Sequence, residues 1–269
     1  MSAFRWVLFA AVLDATACDT PNRPGKCEPR TSGIVDLSYP YDNKTVYWDQ
    51  SDHFVLNVTI VSSDPETRYQ VDTIETATHG GTHLDAPLHF DENGWDVAEI
   101  PVERLALVPV ARVDITQRCA LNASCQLTVR DLLQWEAKHG ALPDRCVLMV
   151  HTGWDKFIDN ITAYFGLDAQ GARHFPSVSV EAAQFLARDR RLSGMGIDTA
   201  SLDVVDPFPV HRINALHSVY NLENLRTLGR VPASGAYATV APMKIAGASG
   251  APVRVFVYLP DAHCNGRAR

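Results

Sequence analysis

The chain predicts a single α/β domain with a substantial β component. Three observations lead there: short β-branched or alternating apolar runs outnumber helical ones, two stretches carry helical apolar spacing behind caps, and neither a repeat nor a flexible linker divides the chain. With 269 residues, 46% of them apolar, the chain can bury a core that needs no staples. Lys and Arg number 24 against 31 Asp and Glu, a net charge of −7 with histidines neutral. No basic block is present, which argues against nucleic acid, because a polyphosphate partner demands a concentrated positive face. A small molecule is the expected partner.

Taken in order, the first element is the amino terminus. One positive charge in 1–5 precedes an unbroken apolar run over 6–13 and the small residues Ala15-Thr16-Ala17, the pattern of a secretory signal peptide spanning 1–17. The run is far short of the ~20 apolar residues a membrane helix needs, and no other stretch comes close. Residues 18–33, rich in Pro, Gly and charge, read as an irregular arm before a domain over 34–269. Strands are expected at 34–37, 54–61, 69–77, 108–115, 146–151, 195–198, 237–240 and 253–259. Thr128 with Asp131 three residues on resembles a capping box ahead of Leu132 and Trp135, and Gly140 ends that helix. A second helix runs over about 179–190, with Ala182, Ala183, Leu186 and Ala187 on one face.

An oxidising compartment follows from six cysteines, all beyond the leader, and from four sequons at Asn43, Asn57, Asn122 and Asn160. The chain is therefore expected to be a secreted glycoprotein. Local bridges Cys18–Cys27 and Cys119–Cys125 are expected, leaving Cys146 and Cys264 to tie two strands.

One segment departs from ordinary composition: His79-Gly80-Gly81-Thr82-His83-Leu84-Asp85-Ala86-Pro87-Leu88-His89-Phe90. Gly80-Gly81 and Pro87 oppose a helix, so an extended chain is expected, with His83, Asp85 and His89 on one face. Fully extended, His79 to His89 would span about 33 Å, too far for one ion. The backbone must then fold back at Gly80-Gly81 for His79 and His83 to meet Asp85, with His89 slightly apart as a proton carrier. Neutral imidazoles with a carboxylate are a ligand set for Zn²⁺ or Mn²⁺ and are costly to bury without a cation. Downstream, His211 and Glu223 sit in apolar surroundings, but spacing alone does not link them to this cluster. Phe90, Trp95 and Trp154 are candidates for an aromatic substrate wall, and His217 for a further lining residue. No G-x-S-x-G, P-loop, dinucleotide fingerprint, H-E-x-x-H or C-x-x-C is present.

The cluster resembles the cyclase family of bacterial-type kynurenine formamidases and isatin hydrolases, whose H-x-G-T-H-x-D-x-P-x-H pattern is matched at His79, Gly81, Thr82, His83, Asp85, Pro87 and His89. The likeness continues through Thr152-Gly153-Trp154, Gly196-Ile197-Asp198-Thr199 with Ser201 and Asp203, and the final strand, covering roughly residues 34 to 259. It implies a swivelling β/β/α fold with a mixed, barrel-like sheet flanked by helices, in a homo-oligomer, a dimer or tetramer. It also implies His79, His83 and Asp85 on one divalent metal and His211 and Glu223 on a second, bridged by Asp85, so two Zn²⁺ or Mn²⁺ per subunit. The implied activity is hydrolysis of N-formyl-L-kynurenine in tryptophan catabolism by metal-activated hydroxide, with His89 as general acid and base. Isatin-like opening of a cyclic amide is the nearer alternative. A secreted metal-binding glycoprotein without turnover is the alternative of another class.

Overall fold

The computed structural model describes residues 31–260, so the leader, residues 18–30 of the arm and residues 261–269, with Cys18, Cys27 and Cys264, lie outside the described residues, while residues 31–33, expected as the end of the irregular arm, belong to the first strand because they pair with the last one. In chain order the strands are β1 (Thr31–Asp36), β2 (Val55–Ile60), β3 (Gln70–Glu75), β4 (His83–Asp85), β5 (Val108–Asp114), β6 (Gln126–Leu127), β7 (Cys146–His151), β8 (Ser177–Val178), β9 (Leu192–Ile197), β10 (Tyr220–Glu223), β11 (Ala236–Pro242) and β12 (Gly250–Pro260). The helices are α1 (Thr116–Cys119), α2 (Val129–His139), α3 (Ile161–Phe165), α4 (Val180–Asp189) and α5 (Pro209–Leu216). Every strand expected from the sequence is present within a few residues. One strand and one helix that the pattern did not reveal, β10 and α5, carry His211 and Glu223 of the site described below, while β4 falls in the segment expected to be extended.

Eight strands form one mixed sheet in the order β1, β12, β11, β5, β7, β9, β10, β4, and β4 pairs again with β12. That second pairing closes β12, β11, β5, β7, β9, β10 and β4 into a seven-stranded barrel, with β1 added outside on β12. The closing strand β4 runs antiparallel to both neighbours: Asp85 lies opposite Asn221 and Gly250, and His83 opposite Glu223 and Pro252. Closure leaves β4 no free edge, so its backbone pairs on both sides.

The core follows the two-residue period of the strands. On β7, Val147 and Met149 pack with Leu84, Leu222 and Val255 in one apolar cluster, while Leu148 and Val150 pack into another with Leu132, Leu186 and Met195. The second cluster sits under the amphipathic helices α2 and α4. Parallel strands covered on both faces read as continuous apolar runs, as Cys146–Val150 does. Glycines interrupt β9 because there is no room: a Cβ at Gly194 would meet the Tyr220 ring at 2.1 Å. The expected cap exists, with Thr128 accepting from the Asp131 N–H and Asp131 from the Thr128 N–H, and the Ser179 hydroxyl caps α4 by accepting from the Ala182 N–H.

Cys119 and Cys125 are disulfide-bonded as expected. Cys146 is a fully buried free thiol, and its expected partner Cys264 lies outside the described residues. All four sequon asparagines are exposed, and Asn160 also caps α3 through its side chain. Among the described residues no helix is long and apolar enough to cross a membrane.

Candidate active site

The site begins where β3 leads into β4. Gly81 adopts a left-handed φ of +54°, and a Cβ on Gly80 would run into the Tyr47 ring at 2.1 Å. These glycines let the chain fold back, as reach required. The loop is then pinned: the Asn224 amide donates to the Gly81 carbonyl at 2.7 Å, and the Thr82 hydroxyl to the Asn224 carbonyl at 2.8 Å. After Asp85 the chain does not continue as a strand. Pro87 starts a single 3-10 turn, Pro87–His89, whose fixed φ suits a first helical position. His89 therefore leaves the face shared by His83 and Asp85 and stacks on His79, with ring centroids 3.9 Å apart. The extended reading of 79–89 fails at that proline.

Four elements bring five of the expected residues together. His79 Nδ1 lies 2.7 Å from Asp85 Oδ1 and His83 Nε2 3.2 Å from the same atom. His211 Nε2 lies 3.0 Å from Glu223 Oε1 and 3.4 Å from Asp85 Oδ2, and His83 Nε2 lies 3.6 Å from Glu223 Oε2. His83, Asp85, His211 and Glu223 are all at most 5% exposed. Barrel closure links the two halves of the sequence: β10 sets Glu223 beside His83, and α5 carries His211 over them.

Each imidazole has one nitrogen anchored and the other turned inward. His83 Nδ1 donates to the Gly81 carbonyl at 3.0 Å, which leaves Nε2 as the free lone pair in the neutral ring. His211 Nδ1 pairs with the Asp203 carboxylate at 2.8 Å, and His79 Nε2 with the Ser249 hydroxyl at 2.9 Å. Anchoring one nitrogen fixes ring and tautomer, the arrangement metal-binding histidines use. Burial alone would lower His83, but Asp85, with Glu223 behind it, lifts it to about 9. Burial also opposes charge on His211, yet Asp203, Asp85 and Glu223 hold it well above its ordinary value. Burial would raise the Asp85 carboxyl, but His83, His211 and His79 keep it well below the usual carboxylate range. Two buried carboxylates thus draw positive charge into the site, and the donor set fits a divalent cation. Ligand atoms of His79, Asp85 and His89 lie within 4.8 Å of one another, as do those of His83, Asp85 and Glu223, with Asp85 common to both groups.

Above this floor opens a cavity of about 310 Å³, walled by Trp48, Phe90, Phe165 and Phe208. Arg173 stacks 3.9 Å from the Trp48 ring and donates to its carbonyl at 3.3 Å, holding the wall from behind. Of the aromatics chosen from sequence, Phe90 lines the cavity. Trp95 does not: it packs against the core under Arg104. Trp154 is buried, its indole N–H donating to the Tyr164 carbonyl, and His217 ends α5 on the surface. Large aromatics found core positions instead, the ordinary fate of such residues. Sequence reasoning missed Trp48, Phe165 and Phe208, and treated Asp203 only as part of a matching segment. Asp203 was findable, because a buried histidine needs a partner for its second nitrogen.

The Cyclase family profile matches residues 35–204, more than half of the chain. The chain belongs to the Cyclase family. An isatin hydrolase of Roseibium aggregatum is 29% identical to it over 194 residues, 68% of this chain and 73% of that protein. A kynurenine formamidase of Bacillus thuringiensis subsp. konkukian is 26% identical over 233 residues, 85% of this chain and 98% of that protein. Isatin hydrolase A from Ralstonia solanacearum superposes with a TM-score of 0.76 at 26% identity, covering 84% of this chain and 92% of that one. Isatin hydrolase A from Labrenzia aggregata, bound to benzyl benzoate, gives 0.75 at 29% identity over 85% and 94%. This Cyclase-family chain is, like those relatives, a hydrolase.

Proposed function

We propose that the chain hydrolyses the C–N bond of a small aromatic amide with the aid of two divalent cations, Zn²⁺ or Mn²⁺. One observation carries this: three imidazoles, each anchored at one nitrogen, converge with two buried carboxylates on the floor of an aromatic cavity. His79, His83, Asp85, His211 and Glu223 would hold the cations. Bound there, they would supply acidified water, with a pKa brought toward ~7, and a counter-charge for the oxygen of the attacked carbonyl. The chain's own residues do the rest. Burial and the neighbouring imidazoles outweigh the pull of Asp85 and lower His89 to about 4, so its ring is neutral near pH 7. It can then accept the proton of the attacking water and return it to the departing nitrogen. The aromatic wall excludes water and seats a planar substrate.

N-formyl-L-kynurenine is the first substrate in this reading, on the strength of the formamidase relatives. A cyclic amide of the isatin type is the second, favoured by a specific feature: among the described residues no lysine or arginine lines the cavity to pair with an amino-acid carboxylate. Metal-analysed protein should open at least one of the two in a chelator-sensitive way. Metal content without turnover on either, or on a panel of anilides and lactams, would defeat the proposal. Secretion is supported by the Cys119–Cys125 disulfide and by four exposed sequons.

A further inference from the structure

Although the sequence has no basic block, the fold gathers four arginines around one pocket of about 240 Å³, and among the described residues no carboxylate lines it. Strands β7, β9 and β10 run parallel. Arg145, Arg191 and Val219 each immediately precede one of them, at the end opposite Glu223, the last residue of β10. Arg104 and Arg190 join them in the lining. Two of the four charges are already met: Arg190 pairs with Glu136 through two nitrogens at 2.8 and 2.6 Å, and Arg191 pairs with Asp144 at 2.8 Å. Arg104 gives Nη1 to the Leu192 and Ser218 carbonyls, and neither it nor Arg145 has a carboxylate partner among the described residues. Burial first, and then the Arg145 charge, lowers Arg104 from its ordinary value. Two guanidinium charges thus face one concave space, and like charges so placed repel until an anion enters.

We propose that this pocket binds a phosphate monoester, its phosphoryl group between Arg104 and Arg145 and its ester portion against the apolar lining. Charge selects the group. The two uncompensated guanidiniums match the charge of about −1.5 to −2 that such a phosphate carries at pH 7, whereas a carboxylate or a sulfate ester brings only one. Guanidinium forks also pair with phosphate oxygens two at a time. Shape selects the rest, because Leu186, Leu192 and Val219 give the pocket an apolar side for an organic group. The backbone points the same way. Arg145 is held in the left-handed region at φ +53°, a conformation that costs energy for a residue with a Cβ. Its N–H donates to the Arg191 carbonyl at 2.7 Å, and its carbonyl accepts from the Ser193 hydroxyl at 2.7 Å. These bonds fix both arginines at the rim. Packing does not account for strain at an exposed side chain, and strain kept without packing is a sign of function.

Calorimetry on the metal-loaded full chain, with phenyl phosphate as the probe, tests the site. Arg145→Gly removes the charge at a backbone position that glycine tolerates. Circular dichroism should therefore hold while binding weakens about tenfold or more. Arg188→Ala, outside the pocket, should bind as the parent does, and phenyl sulfate should bind the parent more weakly than phenyl phosphate. A parent that takes up no phenyl phosphate at millimolar concentration overturns the proposal, as does equal affinity for phenyl sulfate. Binding that Arg145→Gly leaves intact, as an anion seated on the active-site cations would give, overturns it too. If Arg145→Gly does not fold, Arg145→Asn, which also suits left-handed backbone, takes its place. Flotation with phosphatidic acid vesicles that the same substitution abolishes assigns the phosphate to a lipid headgroup, and binding in solution without flotation assigns it to a soluble ester.

Discussion

At the scale of single residues, the site is a problem in charge. Asp85 and Glu223 are buried with no lysine or arginine paired to them among the described residues, so His83 at about 9 and His211, also raised, carry protons at pH 7 until a cation replaces them. Cation binding should therefore release protons, and affinity should rise with pH. Calorimetry in buffers of different ionisation enthalpy measures the release; none at pH 7 would contradict this account. Asp203 acts through His211 by holding Nδ1–H at 2.8 Å. Asp203→Asn should weaken metal binding about 10- to 100-fold while leaving the fold intact, by metal titration and circular dichroism. His89→Ala should retain the metal and lose roughly 10²- to 10⁴-fold in kcat. Equal turnover in that variant would remove His89 from the mechanism.

Elements differ in how plainly they announce themselves, and the reason is length. The helix α2 was legible because a capping box, apolar spacing and a terminal glycine all point the same way. Thr128→Ala should cost about 1 kcal/mol, read as a fall of roughly 2–4 °C in Tm for a domain of this size. By contrast β4 and β10 have three and four residues, too few for a two-residue period to stand out, and both are buried throughout. They exist because the barrel closes through them, a pairing between residues 136 or more apart in the chain. The helix α5 is short and starts at a proline inside an irregular run, so its apolar face is hard to see. Gly194 joins element to function. Gly194→Ala drives a methyl into the Tyr220 ring at the start of β10, and overpacking of this kind costs about 1–3 kcal/mol. It should lower Tm and weaken metal binding together, because Glu223 ends the same strand; a variant of unchanged Tm and metal content would show that β9 and β10 can part freely.

The whole molecule is a barrel whose last seam is also its chemical centre. Removing metal with a chelator should abolish hydrolysis and lower Tm, and Zn²⁺ or Mn²⁺ should restore both, since a ligand held at 1,000 times its Kd stabilises the folded chain by about 4 kcal/mol. Turnover that persists in metal-free protein would exclude this reading. The sequence by itself determined the fold class, most strands, the two long helices and the His79 to His89 cluster, because periodicity, caps and ligand chemistry are local properties written within about a dozen residues. The fold-back at Gly80-Gly81 was also legible, since chain reach forbids one ion from meeting an extended segment. Spacing left His211 and Glu223 unlinked to Asp85, though the family resemblance implied the link, and the tertiary structure brought them together; it alone decided that Pro87 turns His89 onto His79 and that Trp48 and Phe208 rather than Trp95 and Trp154 wall the cavity. The physical reason is that closure of the barrel brings distant strands to one seam, and which aromatic faces a cavity depends on how the core packs around it.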